Sequence, residues 1–98
     1  MRDNIFSPLQ RIIILQGLER DAGRTLSNEL LQRLLKEYGL NLSIGKVNEQ
    51  INWLEERGFV RASRQGEAAL VIVKALRPGV EVAQGLVRAE GIDPPRED

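Results

Sequence analysis

The chain has 98 residues, 42% of them hydrophobic, and its 14 basic residues balance 14 acidic ones to give a formal net charge of zero. This length provides for one compact core and is too short for two. The absence of cysteine and histidine excludes disulfides, thiolate or imidazole zinc sites and imidazole acid–base catalysis. These exclusions argue against a hydrolase of the common kinds, and we expect no catalytic residues, no metal site and no cofactor.

The apolar segments and the N-terminus indicate where in the cell the protein is expected. Apolar runs such as the one at residues 12–15 are far shorter than the roughly 20 residues that cross a bilayer. The first ten residues, MRDNIFSPLQ, lack the basic start, apolar core and small-residue cleavage site of a secretory signal. We therefore expect a cytoplasmic protein without a membrane partner.

The first helix is predicted over about residues 8–20. Ser7 can cap it, Pro8 suits its first turn, and the apolar residues that follow have mostly helical spacing. Ile14 widens the apolar arc beyond one buried stripe. Such an arc is typical of a helix central to the core, or of one that also contacts the terminal segments or a second subunit.

A second helix and a sharp turn follow. Ser27 is suited to cap this helix, whose inner face carries leucines and Tyr38 and whose end is marked by Gly39. Three residues then lead to Ser43, the cap of the next helix, so the two helices must meet at a sharp angle. This arrangement predicts a helix-turn-helix.

The segment SIGKVNEQINWLEERGFV has the features of a complete third helix. Ser43 can cap its N-terminus, and Val47, Ile51 and Leu54 recur at helical spacing. Gly58 supplies the left-handed residue that ends it. An extended run follows directly, so the helix leads into a strand.

Two runs with strand character, residues 59–64 and 69–74, flank a turn at residues 65–67 and predict a hairpin. A hairpin is marginal alone, so we expect it to pack on the helices, with a short third strand near Thr25 and Leu26.

The C-terminal part is predicted to contain one more helix and a tail. Arg77, Pro78 and Gly79 open a helix that reaches about Val87. Residues 1–89 then form a single domain. Residues 90–98 combine two prolines with charges, and we expect them to be a flexible tail.

In this order, the elements resemble winged-helix DNA-binding domains across roughly residues 8–84. The resemblance is carried by the end of the third helix, Leu54-Glu55-Glu56-Arg57-Gly58-Phe59-Val60. Trp53-Leu54, Leu76-Arg77-Pro78-Gly79 and Val82-Ala83-Gln84-Gly85 also look like small winged-helix proteins of Mu-like prophages. The fold implied is α+β, mainly α: a winged helix-turn-helix with a three-helix core, a two- or three-stranded hairpin wing and a C-terminal helix.

The resemblance implies that the third helix lies in a major groove, with its polar face on the bases. Lysine there can reach guanine or phosphate, asparagine can pair with adenine, and glutamate can accept from cytosine. An ordinary solvated helix face is the alternative, because acidic residues outnumber basic ones along this helix. The candidate DNA-binding residues of this helix are Ser43, Lys46, Asn48, Glu49 and Asn52.

The predicted wing adds two candidate DNA-binding residues, Arg61 and Arg64, on either side of Ser63. As a compact pair they would neutralise about two phosphates, a modest and salt-dependent contribution. The alternative is that both arginines only keep the hairpin soluble and prevent edge pairing.

Two functions follow from these expectations. The first is non-enzymatic binding of double-stranded DNA for transcriptional control of a prophage, with a homodimer or a partner protein enlarging the contact surface. The second is a protein-interaction or assembly module with the same fold, in which the extra isoleucines of the first helix or the acidic surface of the third helix dock a partner. The neutral net charge and the small size of the chain favour this second function.

Overall fold

The computed structural model describes residues 3–66 and 69–97. Within these ranges four helices and a three-stranded antiparallel sheet form the mainly helical α+β fold that the sequence predicts. The elements in chain order are α1 (Ser7–Arg20), β1 (Thr25–Ser27), α2 (Asn28–Glu37), α3 (Ile44–Glu56), β2 (Val60–Arg64), β3 (Val71–Ala75) and α4 (Arg77–Ala83). None of these helices is long and apolar enough to cross a membrane.

The ends of α2 and α3 are set by local signals. The Oγ of Ser27 accepts a hydrogen bond from the N–H of Leu30 at 3.1 Å, and the Oγ of Ser43 accepts one from Lys46 at 3.2 Å. Gly58, just after α3, has a φ of +81°, a conformation that disfavours any residue with a Cβ. These predicted boundaries are confirmed.

The predicted cap of α1 is wrong. Ser7 is the first residue of the helix, and Phe6 occupies the cap position without a side-chain hydrogen bond. The Ser7 Oγ instead accepts from the N–H of Asn4, whose own side chain accepts from the N–H of Phe6. An Asx turn at Asn4 therefore precedes the helix, and the Asn4 side chain satisfies the N–H of Phe6 rather than a donor of the first helical turn.

The sheet has the order β1-β3-β2, so the hairpin is completed by the predicted third strand. Val60, Val71 and Val73 are buried on its inner face, where the sheet packs on the helices. The hairpin turn was predicted at residues 65–67. Gly66 has a left-handed φ of +54°, whereas Glu67 and Ala68 lie outside the described residues.

Helix α1 lies at the centre of the core, in contact with α2, α3, α4 and β3. The consecutive residues Ile12, Ile13, Ile14 and Leu15 are all buried, so the wide apolar arc is covered within one chain. Part of the cover comes from the C-terminal segment, because the N–H of Asp93 donates to the first turn of α1. Helix α1 is therefore central to the core and also contacts the C-terminal segment, as two of the interpretations of its wide arc predicted.

The C-terminal region differs from the prediction. Helix α4 ends at Ala83 rather than near Val87, because Gly85 turns the chain with a φ of +79°. Residues 90–97, expected to be flexible, lie against α1: Ile92 is buried, and Gln16 exchanges two hydrogen bonds with the backbone of Arg96. Asp98 lies outside the described residues.

Candidate nucleic-acid interface

The helix-turn-helix presents one face of α3 to solvent. Val47, Ile51 and Leu54 are fully buried, so the opposite side of the helix faces outward. The turn before α3 is tied to α2, because the Nε2 of Gln32 donates to the carbonyl of Leu42 at 2.9 Å. Helix α3 is thus held by its core face and by its start. The predicted residues at or near its outer face are Ser43, Lys46, Asn48, Glu49 and Asn52.

Lys46 and Glu49 form an exposed ion pair on this face. Their Nζ and Oε2 atoms are 3.7 Å apart, and the side chains are 64% and 40% exposed. Such a pair contributes about 0–1 kcal/mol to stability, so either group can exchange its partner for a ligand at little cost. The Ser43 oxygen already accepts the capping bond, which leaves its hydroxyl proton free to donate.

Asn48 has a structural partner that the sequence did not reveal. Asn28, fully buried at the start of α2, donates from Nδ2 to the Asn48 Oδ1 at 3.0 Å and to the Ala69 carbonyl at 3.1 Å. Its Oδ1 accepts from the N–H of Val71 at 3.2 Å. Asn28 therefore joins α2 to both α3 and β3. Bidentate pairing with adenine uses both amide atoms of an asparagine, and the Asn48 oxygen, which already accepts from Asn28, would have to use its second lone pair.

The two wing arginines do not form the predicted compact pair. They are three positions apart on β2, and an odd offset places two side chains on opposite faces of a strand. Arg61 lies on the outer face, opposite Lys74 of β3. Arg64 lies on the α3 side, where its Nη2 donates to the Asn52 Oδ1 at 2.7 Å. The strand period was visible in the sequence and would have separated them.

A carboxylate at the end of α3 completes this junction with the wing. Glu55 Oε1 is 3.4 Å from the Arg64 Nη2, and its Oε2 accepts from the N–H of Ala62 at 3.0 Å. The outer face of α3 and the inner face of β2 are therefore joined through Asn52 and Glu55.

Two further cations lie next to the start of α3. Arg33 and Lys36 are exposed on α2 and line a shallow cavity with Asn41 and Leu42 of the turn. Sequence analysis missed them, although their spacing of three places them on one polar face of the helix. They add positive charge to a surface on which Glu49 faces Lys46.

Trp53 lies beside this surface, between two guanidinium groups. The guanidinium carbon of Arg11 is 3.6 Å from the ring centroid, and that of Arg57 is 3.8 Å from it. Gly91 passes so close that a Cβ there would lie 2.8 Å from the indole. At the predicted boundary of the buried face, the Trp53 ring thus makes cation–π contacts with two arginines and packs against the C-terminal segment.

Arg11 is fully buried and connects distant parts of the chain. Its Nε donates to the Gln50 Oε1 at 2.8 Å, and its Nη1 donates to the Gly91 carbonyl and to Asp3, both at 3.0 Å. The hydrogen bond from Arg11 holds the pKa of the Asp3 carboxyl below its usual value. A lone arginine before an isoleucine run was the sequence signal for this buried network, and it was missed.

Over 96 residues the chain is 31% identical to the uncharacterized protein gp26 of Escherichia phage Mu, and the match covers 98% of this chain and 97% of gp26. The chain belongs to the gp26 family. The predicted resemblance to small winged-helix proteins of Mu-like phages is confirmed by this relationship and by the fold. No family model matches the chain.

Several solved structures share the fold of this chain. A RosR complex matches with a TM-score of 0.62 at 18% identity, over 78% of this chain and 63% of that chain. ZitR of Lactococcus lactis gives 0.55 at 18% identity, over 78% and 52%. PadR of Bacillus subtilis, in complex with operator DNA, gives 0.57 at 21% identity, over 95% and 54%. This chain thus spans about half to two thirds of these winged-helix regulators, and the likeness shows a winged-helix fold.

Proposed function

We propose that this chain binds duplex DNA, without catalysing a reaction, through the outer face of α3 and the adjoining wing. The observation that carries this proposal is the junction of Arg64 with Asn52, which makes helix and wing one continuous polar surface. An α-helix fits the major groove of B-DNA, and a flanking arginine can neutralise the backbone. PadR, with which the chain shares its fold, is in complex with operator DNA, which supports this assignment.

The charge of the surface is compatible with weak binding by one chain. Arg33, Lys36, Lys46 and Arg64 lie on α2, α3 and the wing, and each phosphate contact adds a salt-dependent increment of affinity. A net charge of zero supplies no long-range attraction. Binding as a homodimer or beside a partner protein, which enlarges the contact surface, is therefore part of the proposal.

Family membership supports the proposed biological use. The relative gp26 belongs to Escherichia phage Mu, and a DNA-binding winged helix in such a setting fits transcriptional control of a prophage. Arg61 is left out of the proposed surface, because it faces away from α3 on the outer side of the sheet.

The test is a titration of labelled random-sequence duplex DNA, followed by fluorescence anisotropy at about 50 and 200 mM salt. We expect binding that weakens with salt. The double variant Lys46→Ala, Arg64→Ala should weaken binding about tenfold and lower the salt slope by about 1.8, the value for two phosphate contacts. The control Arg77→Ala, Arg88→Ala removes the same charge outside α2, α3 and the wing, and should bind like the parent.

Equal binding by the two double variants would show that the surface is wrongly placed. If the parent protein does not bind duplex DNA even at low salt, the DNA-binding proposal is wrong. The protein-interaction role of the same fold would then become the hypothesis to test.

A further inference from the structure

Glu55 contacts the wing in two ways. Its Oε2 accepts from the backbone N–H of Ala62, and its Oε1 lies 3.4 Å from the guanidinium of Arg64. Arg64 at the same time donates to Asn52, one turn earlier on α3. One carboxylate therefore reaches both the backbone and a side chain of β2.

The hydrogen bond from Ala62 to Glu55 lies on the open side of β2, which is an edge strand. The N–H of Ala62 points away from β3, and on an unprotected edge it would be a free donor. A hydrogen bond from a backbone N–H to a carboxylate is charge-assisted and stronger than a neutral one. It fixes the strand itself, whereas an ion pair between exposed side chains alone would fix little.

The position of Glu55 is otherwise unfavourable for the proposed function. A carboxylate beside a DNA-binding surface repels phosphate. Glu56, its neighbour, has a side chain that is 75% exposed and lies 3.8 Å from the Arg57 Nη1, whereas that of Glu55 is 34% exposed and turned to the wing. The Glu55 carboxylate therefore repels DNA phosphate, but its contacts orient the wing relative to α3.

We propose that Glu55 is a positioning residue that sets the wing against α3, in the orientation from which Arg64 reaches the DNA backbone. This inference rests on the proposed function for its effect on DNA, and on the Ala62 and Arg64 contacts for its effect on the wing. A wing held before binding loses less conformational freedom on association.

The neighbouring glutamates provide a matched experiment. Glu55→Ala and Glu56→Ala each remove one negative charge from the last turn of α3. Charge alone predicts tighter DNA binding for both. We expect this only for Glu56→Ala, whereas Glu55→Ala should bind about threefold more weakly, with a salt slope lower by about 0.9 because one phosphate contact is lost. Glu55→Gln, which keeps an acceptor for the Ala62 N–H, should restore binding to at least the parent level.

A second measurement needs no DNA. Hydrogen exchange of the Ala62 amide, followed by NMR, should be slow in the parent, in Glu55→Gln and in Glu56→Ala, and faster in Glu55→Ala. Circular dichroism checks that each variant is folded.

The outcomes separate the two proposals. Unchanged Ala62 exchange in Glu55→Ala, or DNA binding by this variant as tight as that of Glu56→Ala, would overturn the positioning role. Absence of DNA binding by the parent would overturn the proposed function instead, and the Ala62 exchange rates would then decide whether Glu55 orients the wing.

Discussion

Two arginines join α3 to other parts of the molecule, and their surroundings differ. Arg11 is fully buried, donates to Gln50 of α3 and stacks on Trp53. Arg64 donates to Asn52 of α3, but its side chain is 52% exposed. A buried guanidinium must have all its donors satisfied, so its partners are fixed. An exposed one is solvated with or without its partner and can exchange it. The first contact is therefore structural, and the second is available for a ligand.

The largest expected effect is a loss of stability on replacing the buried arginine, Arg11. Arg11→Ala leaves the Gln50 side-chain oxygen and the Gly91 carbonyl without their donor and removes one of the two guanidinium groups that lie over Trp53. We expect a loss of about 3 kcal/mol in the free energy of unfolding, measured by urea denaturation. Arg88→Ala, at an exposed position, is the control and should change stability by less than about 0.5 kcal/mol. A similar small change in Arg11→Ala would remove the distinction between the two arginines.

An intermediate effect is expected from the half-exposed partner of Arg11. Since the hydrogen bond from Arg11 lowers the pKa of Asp3 in the folded state, the carboxylate stabilises the fold above its usual pKa of 3.8. This contribution disappears as the pH falls through the lower folded-state pKa. The stability difference between the parent and Asp3→Asn should be constant from about pH 7 to 5 and shrink below about pH 4.

Urea midpoints at a series of pH values measure this difference. The ionised Asp3 would have no stabilising role if the difference stayed constant down to pH 2 or grew on acidification.

The smallest effect on stability is expected at Arg64. Arg64→Ala should lower the free energy of unfolding by less than about 1 kcal/mol, because the side chain is exposed, yet weaken DNA binding about threefold. Arg61→Ala, with the same charge change on the same strand, is the matched control, since Arg61 lies on the outer face. We expect it to affect DNA binding less. Anisotropy and urea titrations of both variants give the comparison, and a stronger effect at Arg61 would reverse the assignment of the two faces.

The parts of the fold that could be predicted depend on local signals. The caps at Ser27 and Ser43 act within one turn of the residue that carries them, and both are found as predicted. Val47, Ile51 and Leu54 follow from the helical period and are fully buried. These features need no knowledge of the rest of the chain.

The parts that were missed depend on distant residues. Arg11 meets Gln50 across 39 positions and Gly91 across 80. Asn28 meets Val71 across 43 positions. The polar and proline-rich composition of residues 90–98 indicated a flexible tail, because composition does not show that α1 offers a surface on which Ile92 can be buried.

The sequence by itself determined the order of the elements, the ends of α2 and α3 and the face that α3 buries, because caps, glycine stops and periodicity act over a few residues. It also contained the strand period that separates Arg61 from Arg64. Only the tertiary structure decided that Arg64 meets Asn52 and Glu55 and that Arg11 holds the C-terminal segment. Such contacts arise when packing brings together residues far apart in the chain, and hydrogen-bond geometry then selects among the polar groups within reach.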